Sequence, residues 1–284
     1  YYVSIAEVSY ATRKEIMQAV ENIANIGIKT VVLQSGEDQQ LDMDEFAEII
    51  AEIKQNYDMA VTLSVGERTF EAYRIWKQAG ADRYLLKIET SDKSLYESLH
   101  PEMSFENRLE CTENLKLLGY QTGSGCVVGL KGQTIQHLAK DILFFGKGAF
   151  DMVSVGLFIP HDKTPLKNEP AGNLELTLKT IAVARIVTKN SLMPATTSIG
   201  NIGDSDQRIT ALNAGANVIM LNFTPIKYKE LYSIYPSNRS INNNQQEYLN
   251  TLEEAAITFN RKLDYSRGDS LKHKQKSLIL KKVI

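Results

Sequence analysis

Short apolar runs, several of them rich in β-branched residues, begin seven times between residues 29 and 217, and each breaks off into small, hydroxyl-bearing, amide or acidic residues. They are KTVVLQSGED (29–38), AVTLSVGE (60–67), RYLLKIETSD (83–92), TGSGCVVGLKG (122–132), MVSVGLFIPH (152–161), MPATTSIG (193–200) and NVIMLNFTP (217–225). Runs that are apolar at successive positions, rather than at alternate ones, predict strands buried on both faces, as parallel strands are. The stretches between them repeat with a helical period: Ile16, Ala19, Val20 and Ile23; Phe46, Ile49, Ile50 and Ile53; Phe70, Tyr73 and Trp76; Phe105, Leu109, Leu115 and Leu118; Leu138, Ile142 and Leu143. Gly27, Gly80, Gly119, Gly146 and Gly215 stand where a helix ends in a left-handed residue ahead of the next strand.

Alternating strands and helices of this length predict an α/β protein, a TIM-type (βα)8 barrel. Such a barrel closes with eight strands, and seven are legible. The chain starts at Tyr1, about one helix ahead of the first strand, which leads to the expectation that a first βα unit has been cut away. The predicted organisation is one barrel over residues 1–236, holding strands two to eight, and a C-terminal helical extension and tail over 237–284.

Composition narrows the function classes. A net charge of −2 in 284 residues leaves no basic footprint for nucleic acid. The basic tail KHKQKSLILKKVI (272–284) reads as a solvated terminus rather than a membrane or RNA patch. No apolar run is long enough to span a bilayer, and the start is unlike a signal peptide. Two cysteines, Cys111 and Cys126, make no disulfide framework, and a reducing cytoplasm is the expectation.

In a βα barrel the chemistry sits where the strands end at their C-terminal side. The residues closing the runs are Gln34, Ser35, Gly36, Glu37 and Asp38; Thr62, Ser64 and Glu67; Lys87, Glu89 and Thr90; Lys131; His161; Thr196, Thr197 and Ser198; Asn222 and Thr224. Each taken singly has a bland account, since such residues cap helices and satisfy loop amides. As a set opening on one cavity they predict a site for a polar ligand carrying an amino group and a ribose. The four histidines are scattered and no metal-binding spacing occurs, so no metal ligand is assigned. GSGCVVGLKGQT (123–134) lacks both nucleotide-loop spacings.

QSGED (34–38), TLSVGE (62–67), RYLLKIETSD (83–92), SFENRL (104–109), GYQTGSG (119–125), VGLKGQT (128–134), FIPHDKTPL (158–166), PATTSIG (194–200), NAGANVIMLNFTP (213–225) and LYSIYP (231–236) resemble, in order and spacing, the HydE family of radical S-adenosylmethionine maturases, which acts in FeFe-hydrogenase assembly. The resemblance runs from about residue 15 to 236, and biotin synthase and methylornithine synthase share the general scheme. It implies that QSGED, through Gln34, Ser35, Gly36 and Glu37, holds the amino group of S-adenosylmethionine, that Ser64 and Glu89 contact the cofactor, and that Arg108 binds its carboxylate. Lys87 stands where the resemblance leads one to expect arginine, replacing a fork by a point charge. On the substrate side it implies a cavity lined by Ser35, Thr62, Thr196, Thr197, Met220 and Tyr232, and, since Thr196 and Thr197 are adjacent, a backbone there that departs from a regular strand.

A 4Fe-4S cluster held by a C-x3-C-x2-C motif is also implied, and that motif is absent from this sequence. Loss of the first βα unit accounts for both gaps, and the chain by itself is expected to be inactive. The implied activity of the parent is reductive cleavage of S-adenosylmethionine, with radical chemistry on an iron-containing, cysteine-derived precursor. A small-molecule or organometallic substrate and other hydrogenase maturation proteins are the implied partners. Three other readings stand beside it: a cluster-less barrel binding S-adenosylmethionine or a metabolite, a methylornithine synthase-like mutase, and an aldolase or isomerase built on Lys87 and Glu89, which share a strand face. A biotin synthase is disfavoured because its auxiliary cluster needs further cysteines.

Overall fold

The computed structural model describes residues 11–162, 164–202, 206–229 and 245–272. Each of the seven apolar runs contains a strand: β1 (Thr30–Gln34), β2 (Ala60–Ser64), β3 (Arg83–Leu85), β4 (Gln121–Val128), β5 (Met152–Leu157), β6 (Pro194–Ala195) and β7 (Val218–Ile219). Strands β1 to β5 pair in chain order, and β6 pairs with β7, all in parallel. A bridge between Met152 and Leu192 links the two sheets at the foot of β5. Around them run α1 (Arg13–Asn25), α2 (Met43–Asn56), α3 (Phe70–Gln78), α4 (Lys93–Leu99), α5 (Phe105–Leu117), α6 (Ile135–Gly148), α7 (Leu174–Thr188), α8 (Thr197–Gly200), α9 (Arg208–Ala214), α10 (Ile226–Lys229) and α11 (Gln245–Thr258).

The outward strand residues pack on the helices as two cores. Val31, Val61, Leu63 and Tyr84 join Phe46, Ile50, Tyr73 and Trp76 in one, and Cys126, Val128, Val153, Val155 and Leu157 join Phe145 and Ile181 in the other. Because side chains alternate along a strand, the intervening residues point to the barrel axis: Thr62 and Ser64 on β2, Lys87 and Glu89 beyond β3, Ser154 and Gly156 on β5. The last unit meets the first helix, since Tyr228 of α10 donates to Glu15 of α1 at 2.9 Å and Phe223 packs on the first core.

The helices depart from the sequence pattern on α3, α5 and α6. Phe70 and Leu143 are 45% and 56% exposed; on α6 the buried aromatic is Phe145, one turn after Asp141. Helix α5 buries Arg108, Cys111, Thr112 and Leu115, while Phe105 and Leu109 touch the second core and Leu118 the first. That helix spans the seam between the cores, so its inward face carries a charged residue into the site. Gly27, Gly80, Gly119 and Gly215 have positive φ as expected, but Gly146 does not. It lies inside α6, where a Cβ would meet Val187 at 2.7 Å; close helix packing is its reason, and Ala149, at φ 48°, takes the left-handed cap instead.

The opposite, N-terminal end of the strands is crossed by the segment around Arg267 to Lys272. Thr30 and Arg83 both donate to the carbonyl of Arg267. Asp269 takes hydrogen bonds from Arg83 at 3.0 Å and Gln121 at 2.9 Å, and Lys272 reaches the carbonyl of Phe150 at 2.9 Å. One short stretch therefore ties β1, β3, β4 and the foot of β5 together.

Candidate functional site

At the C-terminal end of the strands, parallel pairing sets Gln34 beside Ser64, and the next backbone step continues the ladder, Ser35 N–H donating to Ser64 carbonyl at 3.1 Å. The Ser35 hydroxyl turns onto the Gly36 carbonyl at 2.9 Å. Past β3 the chain stays extended to Lys87, whose ammonium pairs with Glu89 at 2.9 Å. A Cβ on Gly156 would stand 3.6 Å from the Lys87 Nζ, so the pair lies over the axis against the small residues of β5. Burial pushes the Glu89 carboxyl up, but Lys87 outweighs it and the group is held below its usual range.

Glu89 itself has φ 61°, a left-handed conformation costly for a residue with a side chain. Strand β4 holds it there: Glu89 N–H donates to Gly125 carbonyl and Val127 N–H to Glu89 carbonyl, both at 3.0 Å.

Arg108 enters from α5. Its Nη2 meets Glu37 Oε1 at 2.8 Å, and its Nε lies 3.0 Å from Glu67 Oε1 and 3.3 Å from the Tyr96 hydroxyl. Among the described residues Nη1 has no hydrogen-bond partner, which leaves one corner of the fork open. Burial acts against its charge, yet the two carboxylates raise its pKa further. Glu67 is raised, mainly by burial, with Arg108 and Asn107 opposing. Glu37 is anchored a second time by the Glu67 N–H at 2.8 Å, a contact that Gly66 permits: at φ 79°, its Cβ would lie 2.2 Å from Glu37 Oε2. Tyr96 stacks on His100 with centroids 4.5 Å apart, and burial lowers the pKa of that histidine.

On the far side β6 stops at Ala195, and Thr196 is the N-cap of the short α8 while Thr197 is its first residue. The departure from a regular strand is therefore present. The Thr196 hydroxyl bonds to Ser198 Oγ at 2.9 Å, which takes the Leu157 N–H at 3.0 Å, tying this turn to the end of β5. Thr62 is buried and opposite Val32 in the ladder; Met220 follows β7 and is half-buried. Tyr232 lies outside the described residues. The structure thus joins Glu37, Arg108 and the ladder at Ser64 on one side and Thr196 with β5 on the other, and no hydrogen bond links Ser35 to either threonine. Glu67, Tyr96, Asn107 and His100 complete the polar cluster around Arg108. Of these only Glu67 carried a sequence signal, its place at a strand end; Tyr96 and His100 share one face of α4 by their four-residue spacing, a pattern that marks packing as readily as chemistry.

This is a parallel βα fold with an arginine–carboxylate cluster at the strand ends, and residues 7–145 match the family described as "Radical SAM superfamily", SAM being S-adenosylmethionine. Within it the chain is HydE-like. It is 51% identical over 225 residues to the FeFe hydrogenase maturase subunit HydE of Thermotoga maritima, covering 79% of this chain and 64% of that protein. It is also 29% identical over 210 residues to the 3-methylornithine synthase of Methanosarcina acetivorans, covering 73% of this chain and 59% of that one. A crystal structure of methylornithine synthase superposes with a TM-score of 0.74 at 23% identity, covering 92% of this chain and 77% of that one, and shows the shared fold. The chain thus spans less than two thirds of the curated relatives it matches.

The superfamily implies S-adenosylmethionine and a 4Fe-4S cluster. The open corner of Arg108 and the exposed backbone at Gly36 fit the amino acid end of the first. The second finds no fit among the described residues. Both cysteines are buried, burial raises both thiols, and among the described residues no three ligand-type side chains converge.

Proposed function

We propose that this chain is the cofactor- and substrate-handling barrel of a radical S-adenosylmethionine enzyme that acts in maturation of the FeFe hydrogenase, in the cytoplasm. The observation carrying this reading is the Arg108 guanidinium, buried between Glu37 and Glu67 with Nη1 left open. A fork held along its Nε–Nη2 edge by Glu37, Glu67 and Tyr96 leaves Nη1 to receive a carboxylate. The α-carboxylate of S-adenosylmethionine is assigned to Nη1, and its ammonium to the carbonyls of the Gln34–Ser35–Gly36 turn and the Glu37 carboxylate. Ser64 and Glu89 take the ribose, with Lys87 setting the position of the Glu89 carboxylate.

The substrate is assigned to the hydroxyls of Ser35, Thr62, Thr196 and Thr197 with Met220 and Tyr232, which offer directional bonds to a small anionic, iron-containing and cysteine-derived ligand. Radical chemistry inside a barrel is shielded from bulk water, which protects reactive species from quenching. The 51% identity to a FeFe hydrogenase maturase subunit supports a setting among hydrogenase maturation proteins. Isothermal titration with S-adenosylmethionine tests the reading: saturable binding that is lost in Arg108→Met is expected, and equal heats for both proteins overturn it.

A further inference from the structure

Helix α6 grips the segment that follows β3 with three residues of one face, His137, Lys140 and Asp141. Lys140 pairs with Asp92 at 2.9 Å, and His137 Nε2 lies 3.9 Å from the same carboxylate. Asp141 is completely buried. Its Oδ1 accepts the Ser91 N–H at 2.5 Å, the Ser91 hydroxyl at 2.7 Å and the Thr90 hydroxyl at 3.5 Å. Its Oδ2 has no hydrogen-bond partner among the described residues. A carboxylate with one orphaned oxygen is an expensive group to bury, and an apolar side chain in its place would cost the fold less. What it does is hold two consecutive residues immediately after Glu89.

Glu89 is the strained residue. Its N–H and carbonyl are both bonded to β4, and the Thr90 N–H returns to the Ile88 carbonyl at 2.8 Å; Asp141 adds the side-chain hold on residues 90 and 91 that keeps the exit from this turn in place. Asp92 then caps α4 through the Leu95 N–H at 3.2 Å, and α4 carries the Tyr96 hydroxyl that takes Arg108 Nε. One buried carboxylate therefore stands behind both halves of the site, Lys87–Glu89 directly and Arg108 through α4.

We propose that Asp141 is a positioning residue, which fixes the left-handed backbone of Glu89 and thereby places the Lys87–Glu89 pair for cofactor binding. This rests on the S-adenosylmethionine reading above. Asp141→Ala is expected to weaken S-adenosylmethionine binding about tenfold, the effect of losing one hydrogen bond to a charged group, and to speed hydrogen exchange across residues 86–92. Asp141→Asn keeps an accepting oxygen toward Ser91 and should restore both. Phe145→Leu, in the core face of the same helix, lowers the melting temperature without touching the loop, and should leave affinity unchanged. Ser91→Ala, which removes one donor, gives a smaller loss and covers the case in which Asp141→Ala does not fold.

Unchanged affinity in Asp141→Ala despite faster exchange overturns the proposal, as does an affinity loss in Phe145→Leu that follows its loss of stability. A wild-type protein that binds no S-adenosylmethionine sinks the functional reading instead. The exchange comparison then decides the clamp alone, and unchanged exchange in Asp141→Ala overturns it.

Discussion

Glu37 and Arg108 meet at 2.8 Å although 71 residues separate them in the chain. One follows β1 and the other lies on α5, so the contact exists only when the first half of the sheet and its helices have assembled. With Glu67 at the Nε of the same guanidinium, the cluster has two acids for one base. Its balance is the basis of the first two predictions.

Arg108→Ala leaves two largely buried carboxylates without a counter-charge. A stability loss of about 3 kcal/mol in urea unfolding is expected, at the low end for a broken buried pair because both acids keep some contact with water. Adding Glu67→Gln should recover part of it, since burial already disfavours the charged form of Glu67. A single Arg108→Ala variant as stable as the wild type would show that the pairing carries no energy.

Gly66→Ala tests the cradle beneath Glu37. The new methyl would lie within 2.2 Å of the carboxylate, at a backbone φ of 79°. The strain should cost about 1–3 kcal/mol, and the displaced Glu37 should weaken S-adenosylmethionine binding measurably by calorimetry. Full affinity with full stability would mean that Glu37 does not depend on this contact.

Acid should loosen the N-terminal end of the barrel. Burial raises the Asp269 carboxyl, but the hydrogen bond from Gln121 and the charges of Arg267 and Arg83 prevail, and it stays below its ordinary value. Asp82 behaves alike: burial raises it, while the Val61 N–H, Lys54 and Arg267 lower it further. A carboxyl depressed in the folded state contributes stability that is complete above its unfolded pKa, near 4, and is lost as pH falls through the folded value. Melting temperature should therefore fall below about pH 4 in the wild type and less steeply in Asp269→Asn. Parallel pH profiles would remove Asp269 from the account.

Ala149→Gly should stabilise the protein by about 0.5–1 kcal/mol, because glycine takes the left-handed cap of α6 without the cost that alanine carries. Chemical denaturation reads the change directly. A loss of stability would show that the Ala149 methyl contributes packing that outweighs the backbone strain at φ 48°.

The positions of all seven strands, the inward faces of α1 and α2 and four of the five glycine caps were legible in the sequence, because each depends on a local period or on one residue's backbone freedom. The rim residues were legible for the same reason: a parallel strand that stops being apolar marks where it leaves the core. The tertiary structure alone decided which of them meet. That Arg108 faces two protein carboxylates, that Ser91 is pinned by Asp141 fifty residues on, and that Asp269 closes on Arg83 across 186 residues are contacts between separate βα units. No periodicity encodes them. Helix α5 shows the limit most plainly: its apolar positions predict a greasy stripe, yet it buries an arginine, because the position of a helix over a seam between two cores follows from the packing of its neighbours and not from its own sequence.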